Sequence, residues 1–212
     1  MKLNFHKVKQ RSKEWFNLRV QYPLTASKAQ AIASQGKGLE TLCNEKIAEK
    51  YAVIPFESYE SPAMKEGKEK EAHAVFVYEV ENMCRVEEVG FVTNESISKV
   101  GGVSPDGLVG DDGLIEVKVF KPMKYWDYLI NDKDPEKKYL WQMQMQLLFT
   151  ERKWVDFVLY SPYFEKNLIV KRIYPDKKMQ SAIKKGLQKG ENMLKLLEDK
   201  YKNNYGRLEK RV

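Results

Sequence analysis

Cysteine is nearly absent from this chain. Cys43 and Cys84 are the two in 212 residues, too few for an iron–sulfur cluster with four thiolate ligands or a Cys₄ zinc site. One disulfide is arithmetically available, but nothing in the pattern requires it. Long apolar runs are missing too. No window approaches the 18 apolar residues from which a membrane-spanning helix is read. The first residues, Met1 to Lys13, hold five Lys or Arg and no apolar stretch, unlike a secretory leader. The expected location is therefore the reducing cytoplasm, with no membrane partner. Internal repeats and low-complexity linkers are also lacking, and the length suits one domain over residues 1–212 that folds without covalent staples.

Positive charge is what the chain has in excess. Lys and Arg number 37 against 30 Asp and Glu, a formal net charge of +7. A basic surface is the electrostatic prerequisite for nucleic-acid binding, and it also serves solubility. The many acidic residues leave carboxylates available for metal chemistry on a bound polyanion.

Periodicity orders the elements. Residues 13–22 read as a helix that places Trp15, Leu18 and Arg19 on one face. Beyond Pro23, Thr25 or Ser27 is the expected N-cap of a short helix with Ala29, Ile32 and Ala33 on its apolar side. A further helix is expected over 39–52. Ser61-Pro62 has the form of a helix start, an N-cap followed by proline at the first position, and that helix should reach Glu81 with Ala72, Val75, Phe76 and Val80 as its buried stripe. Val86 to Thr93 and Ile97 to Val103 read as strands around a turn at Asn94-Glu95-Ser96. Gly101-Gly102 marks a bend or a close backbone approach. Gly110-Asp111-Asp112-Gly113 is a turn, followed by a strand from Leu114 to Phe120. Then come a helix over Pro122 to Ile130, a charged loop, a buried helix over Tyr139 to Phe149, strands over Val155–Tyr160 and Leu168–Ile173, and a long, basic, amphipathic helix from Asp176 to about Tyr205. This order indicates an α/β fold in one mixed domain.

The chemistry concentrates in Ser104-Pro105-Asp106-Gly107 and in Glu116-Val117-Lys118. The turn between them should fold the two segments into a hairpin. Side chains at i and i+2 on a strand share a face, so Glu116 and Lys118 point together while Val117 points to the core. Two carboxylates beside a lysine suit phosphodiester hydrolysis. Carboxylate oxygens, with the Val117 carbonyl as a further ligand, hold Mg²⁺ or Mn²⁺, and the lysine orients water or neutralises phosphate charge. A lone Glu-x-Lys is usually a solvated strand face. The Pro-Asp-Gly, the turn and the preceding Leu114-Ile115 are what set this one apart.

These motifs resemble the PD-(D/E)xK nuclease superfamily, and within it the phage lambda exonuclease family, the YqaJ-type viral recombinases. Trp15 and Arg19 with Thr25-Ala26-Ser27 look like its N-terminal signature. Gly67-Lys68 and Glu71 look like its helical carboxylate motif. Asp106, Glu116 and Lys118 match the core, and Tyr139 with Gln142 and Gln144 matches the following helix. The motifs run in order from 15 to 146, about two thirds of the chain. The resemblance implies a restriction-endonuclease-like domain, a central mixed β-sheet flanked by helices. It implies Lys118, Glu116, Asp106, Gln142 and Glu71 as catalytic residues, with metal at Asp106, Glu116, Val117 and Glu71. Gln142 would meet the attacking water or the scissile phosphate, with Gln144 and Gln146 as weaker candidates. His73 is not assigned as a ligand, because Mg²⁺ prefers oxygen.

A 5′-phosphate pocket at Arg19, Thr25 and Ser27 also follows from the resemblance. A guanidinium fork and hydroxyls at a helix start suit a terminal phosphate. Read alone, the same residues have an ordinary explanation: a core tryptophan, and an arginine paired with Glu14 or another acid. Met64 is either a wedge against the terminal base pair or a core methionine. Lys177, Lys178, Lys184, Lys185, Lys189 and Lys195 either touch DNA or keep the last helix soluble.

The implied activity is a Mg²⁺-dependent 5′→3′ exonuclease acting on double-stranded DNA ends. It would leave 3′ overhangs for a single-strand annealing protein in phage-type recombination. Mn²⁺ would substitute, and the protein would work as a homo-oligomer, a ring-shaped trimer by family logic. An endonuclease of the same superfamily and a non-catalytic DNA-end-binding protein are the rival readings.

Overall fold

The computed structural model describes residues 3–54 and 62–205, and the side chains within those spans except at 62–69. In chain order the elements are β1 (Leu3–His6), α1 (Lys13–Gln21), β2 (Leu24–Thr25), a 3₁₀ turn at Ala26–Lys28, α2 (Ala29–Ser34), α3 (Lys37–Tyr51) and α4 (Pro62–Asn82). There follow β3 (Val86–Glu87), β4 (Phe91–Asn94), β5 (Gly101–Gly102), β6 (Gly107–Val109) and β7 (Gly113–Val119). The chain continues through α5 (Pro122–Asn131), α6 (Lys137–Thr150), β8 (Trp154–Tyr160), β9 (Leu168–Ile173) and α7 (Lys177–Tyr205).

The central sheet has the order β3-β6-β7-β8-β9. Strands β7 and β8 pair in parallel, and the other neighbours are antiparallel. Gly110, at φ +51°, turns the β6–β7 hairpin. Parallel strands cannot be joined by a tight turn, and the α5–α6 segment supplies the crossover between β7 and β8. This places α6 beside the strand that carries Glu116 and Lys118.

Both sheet faces are covered, so the central strands read as nearly continuous apolar runs. On one face Leu114, Val155, Phe157 and Leu159 pack with Met143, Met145 and Leu147 of α6 in the larger core, which extends through α2, α3 and α7. On the other face Ile115, Val117, Val158 and Tyr160 pack against Ala74 and Tyr78 of α4. There the Tyr78 hydroxyl donates to Asp156 Oδ2 at 2.7 Å, and Arg172 grips the same carboxylate through Nε and Nη2 at 2.8 and 2.9 Å. The buried acid is thus paired, as a charge inside a core must be.

Sequence expectations are corrected in three regions. The buried stripe of α4 is Ala74 and Tyr78 with the expected Val75 packed beside them, whereas Ala72, Phe76 and Val80 face outward, Phe76 and Val80 being 60% and 61% exposed. Apolar residues ring this helix, so hydropathy alone does not fix its rotation, and the Asp156 acceptor draws Tyr78 inward. Second, the expected strand over 86–93 is two strands in different sheets. At Gly90 a Cβ would stand 1.9 Å from the Val8 carbonyl oxygen, and past this crossing the chain pairs with β1, Phe5 beside Val92. The expected strand over 97–103 shrinks to Gly101–Gly102, in parallel with Leu24–Thr25. Third, Thr25 holds the N-cap position of the 3₁₀ turn and not of α2, whose N-cap is Lys28, and neither start has a side-chain cap bond. The proposed N-cap Ser61 and the side chains of Met64, Gly67 and Lys68 lie outside the described residues.

Candidate active site

The β7 pleat puts Glu116 and Lys118 on the α6 side and Val117 on the α4 side. Glu116 is 1% exposed, and its carboxylate is gripped from several directions. Gln142 Nε2 donates to Oε1 at 2.7 Å and Gln146 Nε2 donates to Oε2 at 2.6 Å. The Lys118 ammonium also contacts Oε1 and donates to the Val117 carbonyl at 3.0 Å. The two glutamines stand one helical turn apart on α6, so a single rigid element serves both oxygens.

Asp106 reaches the same point from the neighbouring segment. Its backbone N–H donates to the Ile115 carbonyl at 3.2 Å, and its Oδ2 accepts the Val117 N–H at 2.7 Å. Gln10 holds the preceding turn, donating from Nε2 to the Val89 and Pro105 carbonyls. Burial, then the negative charge of Glu116, raises the Asp106 carboxyl to about 7, with Lys118 and the Val117 N–H opposing. Burial works to lower the Lys118 ammonium, but Glu116 and Asp106 outweigh it and leave it raised above its ordinary value. Two carboxylates crowded together and one firmly protonated lysine are the electrostatic content of the site.

Glu71 belongs to the sheet-facing side of α4, three and seven residues ahead of Ala74 and Tyr78. Its carboxylate accepts from Arg11 Nη2 at 3.4 Å, and its field reaches both Asp106 and Lys118. Arg11 sits at φ +68°, unusual for a residue with a side chain. Among the described residues no three His, Cys, Asp or Glu side chains form a group that could hold a metal ion. The available donors are instead the carboxylates of Asp106 and Glu116 with the Val117 carbonyl. All are oxygen, the chemistry a hard divalent ion prefers, and Lys118 already draws a cationic group onto two of them. His73 is engaged elsewhere, its Nδ1 lying 2.8 Å from the Tyr160 hydroxyl.

The second predicted cluster also assembles. Trp15 Nε1 donates to the Gly90 carbonyl at 3.0 Å and to Ser104 Oγ at 2.8 Å. Its ring carries the Arg19 guanidinium 4.4 Å from the centroid. Arg19 Nη2 donates to Thr25 Oγ1 at 3.4 Å, and Ser27 Oγ lies 3.5 Å from Thr25 Oγ1. Glu14 is not the partner of Arg19. Desolvation lowers the Arg19 pKa from its ordinary value, with Glu49 opposing. Ser27 also lines a cleft of about 400 Å³ with Lys28, Gln30, Ala31, Ser34 and Lys138.

Gln146, a weaker candidate than Gln142 from the sequence, meets the Glu116 carboxylate directly, and its spacing from Gln142 on an apolar helix is the signal that marks it. Gln144, weighed equally with it, is structural: it donates to the Tyr174 carbonyl and accepts the Asp176 N–H, tying α6 to the start of α7. Gln10 and Arg11 left no signal, because their partners are distant in sequence.

No curated protein sequence matches the chain. Solved structures do. The crystal structure of LHK-Exo in complex with dAMP is similar at a TM-score of 0.82 with 29% identity, over 93% of this chain and 100% of that one. The alkaline exonuclease LHK-Exo from Laribacter hongkongensis gives 0.76 and 29%, over 91% and 99%. A phage-related exonuclease from Haemophilus somnus shares the fold at 0.61 and 13%, over 84% and 95%. Residues 14–153 match the YqaJ-like viral recombinase domain, a span that runs from the Trp15–Arg19 cluster through Asp106, Glu116 and Lys118 to the glutamines of α6, and the chain accordingly belongs to the YqaJ-like viral recombinase family.

Proposed function

We propose that the protein is a magnesium-dependent exonuclease that digests one strand of double-stranded DNA from its 5′ end, releases 5′-mononucleotides and leaves a 3′ overhang. One observation carries the reading. The Arg19 cluster is tied to the carboxylate–lysine site where Trp15 Nε1 donates to Ser104 Oγ, two residues before Asp106. An anion-binding cluster fixed to a hydrolytic centre suits an enzyme that reads a strand end while cutting beside it. The solved relatives support the reaction class: LHK-Exo is an alkaline exonuclease, and one of its structures holds dAMP, a mononucleotide.

Asp106, Glu116 and the Val117 carbonyl would hold Mg²⁺ or Mn²⁺, with Glu71 supporting from α4. The ion would polarise the scissile phosphate and lower the pKa of a bound water. Lys118, protonated at neutral pH, acts as a cation toward phosphate or water rather than as a base. Gln142, already on Glu116, is positioned to donate to the attacking water or the phosphate. The Arg19 fork and the hydroxyls of Thr25 and Ser27 receive the terminal phosphate, the bidentate recognition for which arginine is suited.

The biological setting we propose is phage-type recombination in the host cytoplasm. A single-strand annealing protein would load on the exposed overhang, and the exonuclease would encircle DNA as a ring-shaped homotrimer. No helix among the described residues is long and apolar enough to cross a membrane. Digestion of linear duplexes bearing 5′-phosphate or 5′-hydroxyl ends, beside closed circular DNA, with Mg²⁺ or EDTA, tests the reading. The 5′-phosphorylated duplex should be consumed fastest and only with Mg²⁺, and Arg19→Ala should erase the preference for phosphate. Cutting of circular DNA, or equal rates on both ends, would favour an endonuclease instead.

A further inference from the structure

Three glutamines alternate along the apolar core of α6: Gln142, Gln144 and Gln146. Gln144 joins helix to helix, and Gln142 is half-buried at the site. Gln146 is 0% exposed. Its Nε2 meets Glu116 Oε2, while its own side-chain Oε1 is buried with no hydrogen-bond partner among the described residues. Turning the amide over would set two acceptor oxygens against each other at 2.6 Å, so the donor must face the carboxylate and the carbonyl stays orphaned. A buried, unmade hydrogen bond is a standing penalty to folding. Leucine or methionine would fill the same space without it, as Met143, Met145 and Leu147 do nearby. The amide therefore serves the carboxylate.

The two oxygens of Glu116 are held differently. Oε1 is shared by Gln142 and the Lys118 ammonium, both part-exposed. Oε2 is held from the interior by Gln146, whose backbone carbonyl in turn accepts the Thr150 hydroxyl at 2.8 Å. Resting on the metal-site reading above, we propose that Gln146 is a positioning residue: it locks Glu116 Oε2 away from solvent, fixing Glu116 as a one-oxygen ligand that presents Oε1 to the divalent ion. Without this restraint the carboxylate can rotate, and the ligand geometry is lost although every ligand is present. Hydrogen bonds that orient a metal ligand from behind commonly act this way.

Binding of Mn²⁺ to the DNA-free protein, followed by the electron paramagnetic resonance of free Mn²⁺, separates this role from a packing role. Gln146→Leu, with Gln146→Met as a second packing-compatible variant, trades the orphaned Oε1 for a Glu116 Oε2 left without its donor, so both should fold cooperatively and melt at or below the parent. Both should bind Mn²⁺ about 10-fold more weakly or worse. Their cleavage should fall at limiting Mn²⁺ and recover substantially at saturating Mn²⁺, with KM for DNA unchanged. Mn²⁺ affinity within about twofold of the parent in both variants would overturn the role of Gln146 and leave the metal site standing. Parent protein that binds Mn²⁺ no better than Asp106→Ala would overturn the metal site and the inference together.

Discussion

Lys118 shows how much chemistry one residue's surroundings decide. An exposed lysine after Glu-Val is ordinary strand surface. Here its ammonium lies against Glu116 and the Val117 carbonyl, and the field of two carboxylates keeps it charged. Lys118→Ala should lower DNA cleavage by about 100-fold or more, the usual scale for removing one transition-state donor. Binding of duplex DNA in Ca²⁺, read by gel shift, should be retained. Cleavage at the parent rate would remove Lys118 from the mechanism. At this scale the sequence is informative where chemistry is local. Asp106, Glu116 and Lys118 were legible because a hairpin turn and the i, i+2 rule bring them together. Gln10 and the link from Ser104, itself part of the motif, to Trp15 were not, because a glutamine held by two backbone carbonyls and a serine under an indole show no partner until the fold closes.

At the level of elements, the long helix α7 holds a packing constraint that its composition hides. Its amphipathic pattern indicates one buried face, and Ile183, Gly186, Leu187, Gly190 and Leu194 form that seam. A Cβ on Gly186 would stand 2.0 Å from the Ile32 carbonyl oxygen, and one on Gly190 2.5 Å from Leu24 Cδ1. Helix propensity alone would make Gly186→Ala stabilising by about 1 kcal/mol. Backbone contact with α2 reverses the sign, and a loss of about 2 kcal/mol is expected in urea denaturation. Gly36→Ala, at an open position before α3 where the nearest atom to a new Cβ is 3.9 Å away, should change stability by less than about 0.5 kcal/mol. A stabilised Gly186→Ala would mean that α7 does not pack so closely. Such close contacts and rotations escape one-dimensional reading because they depend on which helix arrives opposite. The same cause misplaced part of the buried stripe of α4, whereas α6, apolar from Tyr139 to Phe149 but for its three glutamines, was read correctly as buried.

Across the whole molecule, the α/β class and the succession from β7 through α5, α6, β8 and β9 to α7 followed from periodicity and turn residues, whereas the short strands β1 and β2 left no such pattern. The strand order β3-β6-β7-β8-β9 did not follow from them either, since it depends on the α5–α6 crossover. That assembly also sets two like charges side by side, which gives stability a pH dependence. Burial and Glu116 raise Asp106 from its ordinary 3.8 to about 7. Between those values the folded protein keeps a proton that the unfolded chain has released. Stability gained from that proton is present at low pH and lost as pH rises through about 7. The slope cannot exceed about 1.4 kcal/mol per pH unit, and because Asp106 is only half-buried a total loss of about 2 kcal/mol is expected. His6, lowered by burial, acts in the opposite direction near its ordinary 6.5, so the informative comparison is with Asp106→Asn, which keeps an acceptor for the Val117 N–H and removes the charge. Metal-free parent protein should lose melting temperature relative to Asp106→Asn as pH rises from 5 to 8. Mg²⁺ should restore the parent by mass action, most strongly above pH 7, and leave the inactive variant unmoved. Parallel melting curves for the two proteins across this range, with or without Mg²⁺, would mean that the carboxylates are too well solvated to oppose each other, and that neither strains the fold to receive a cation.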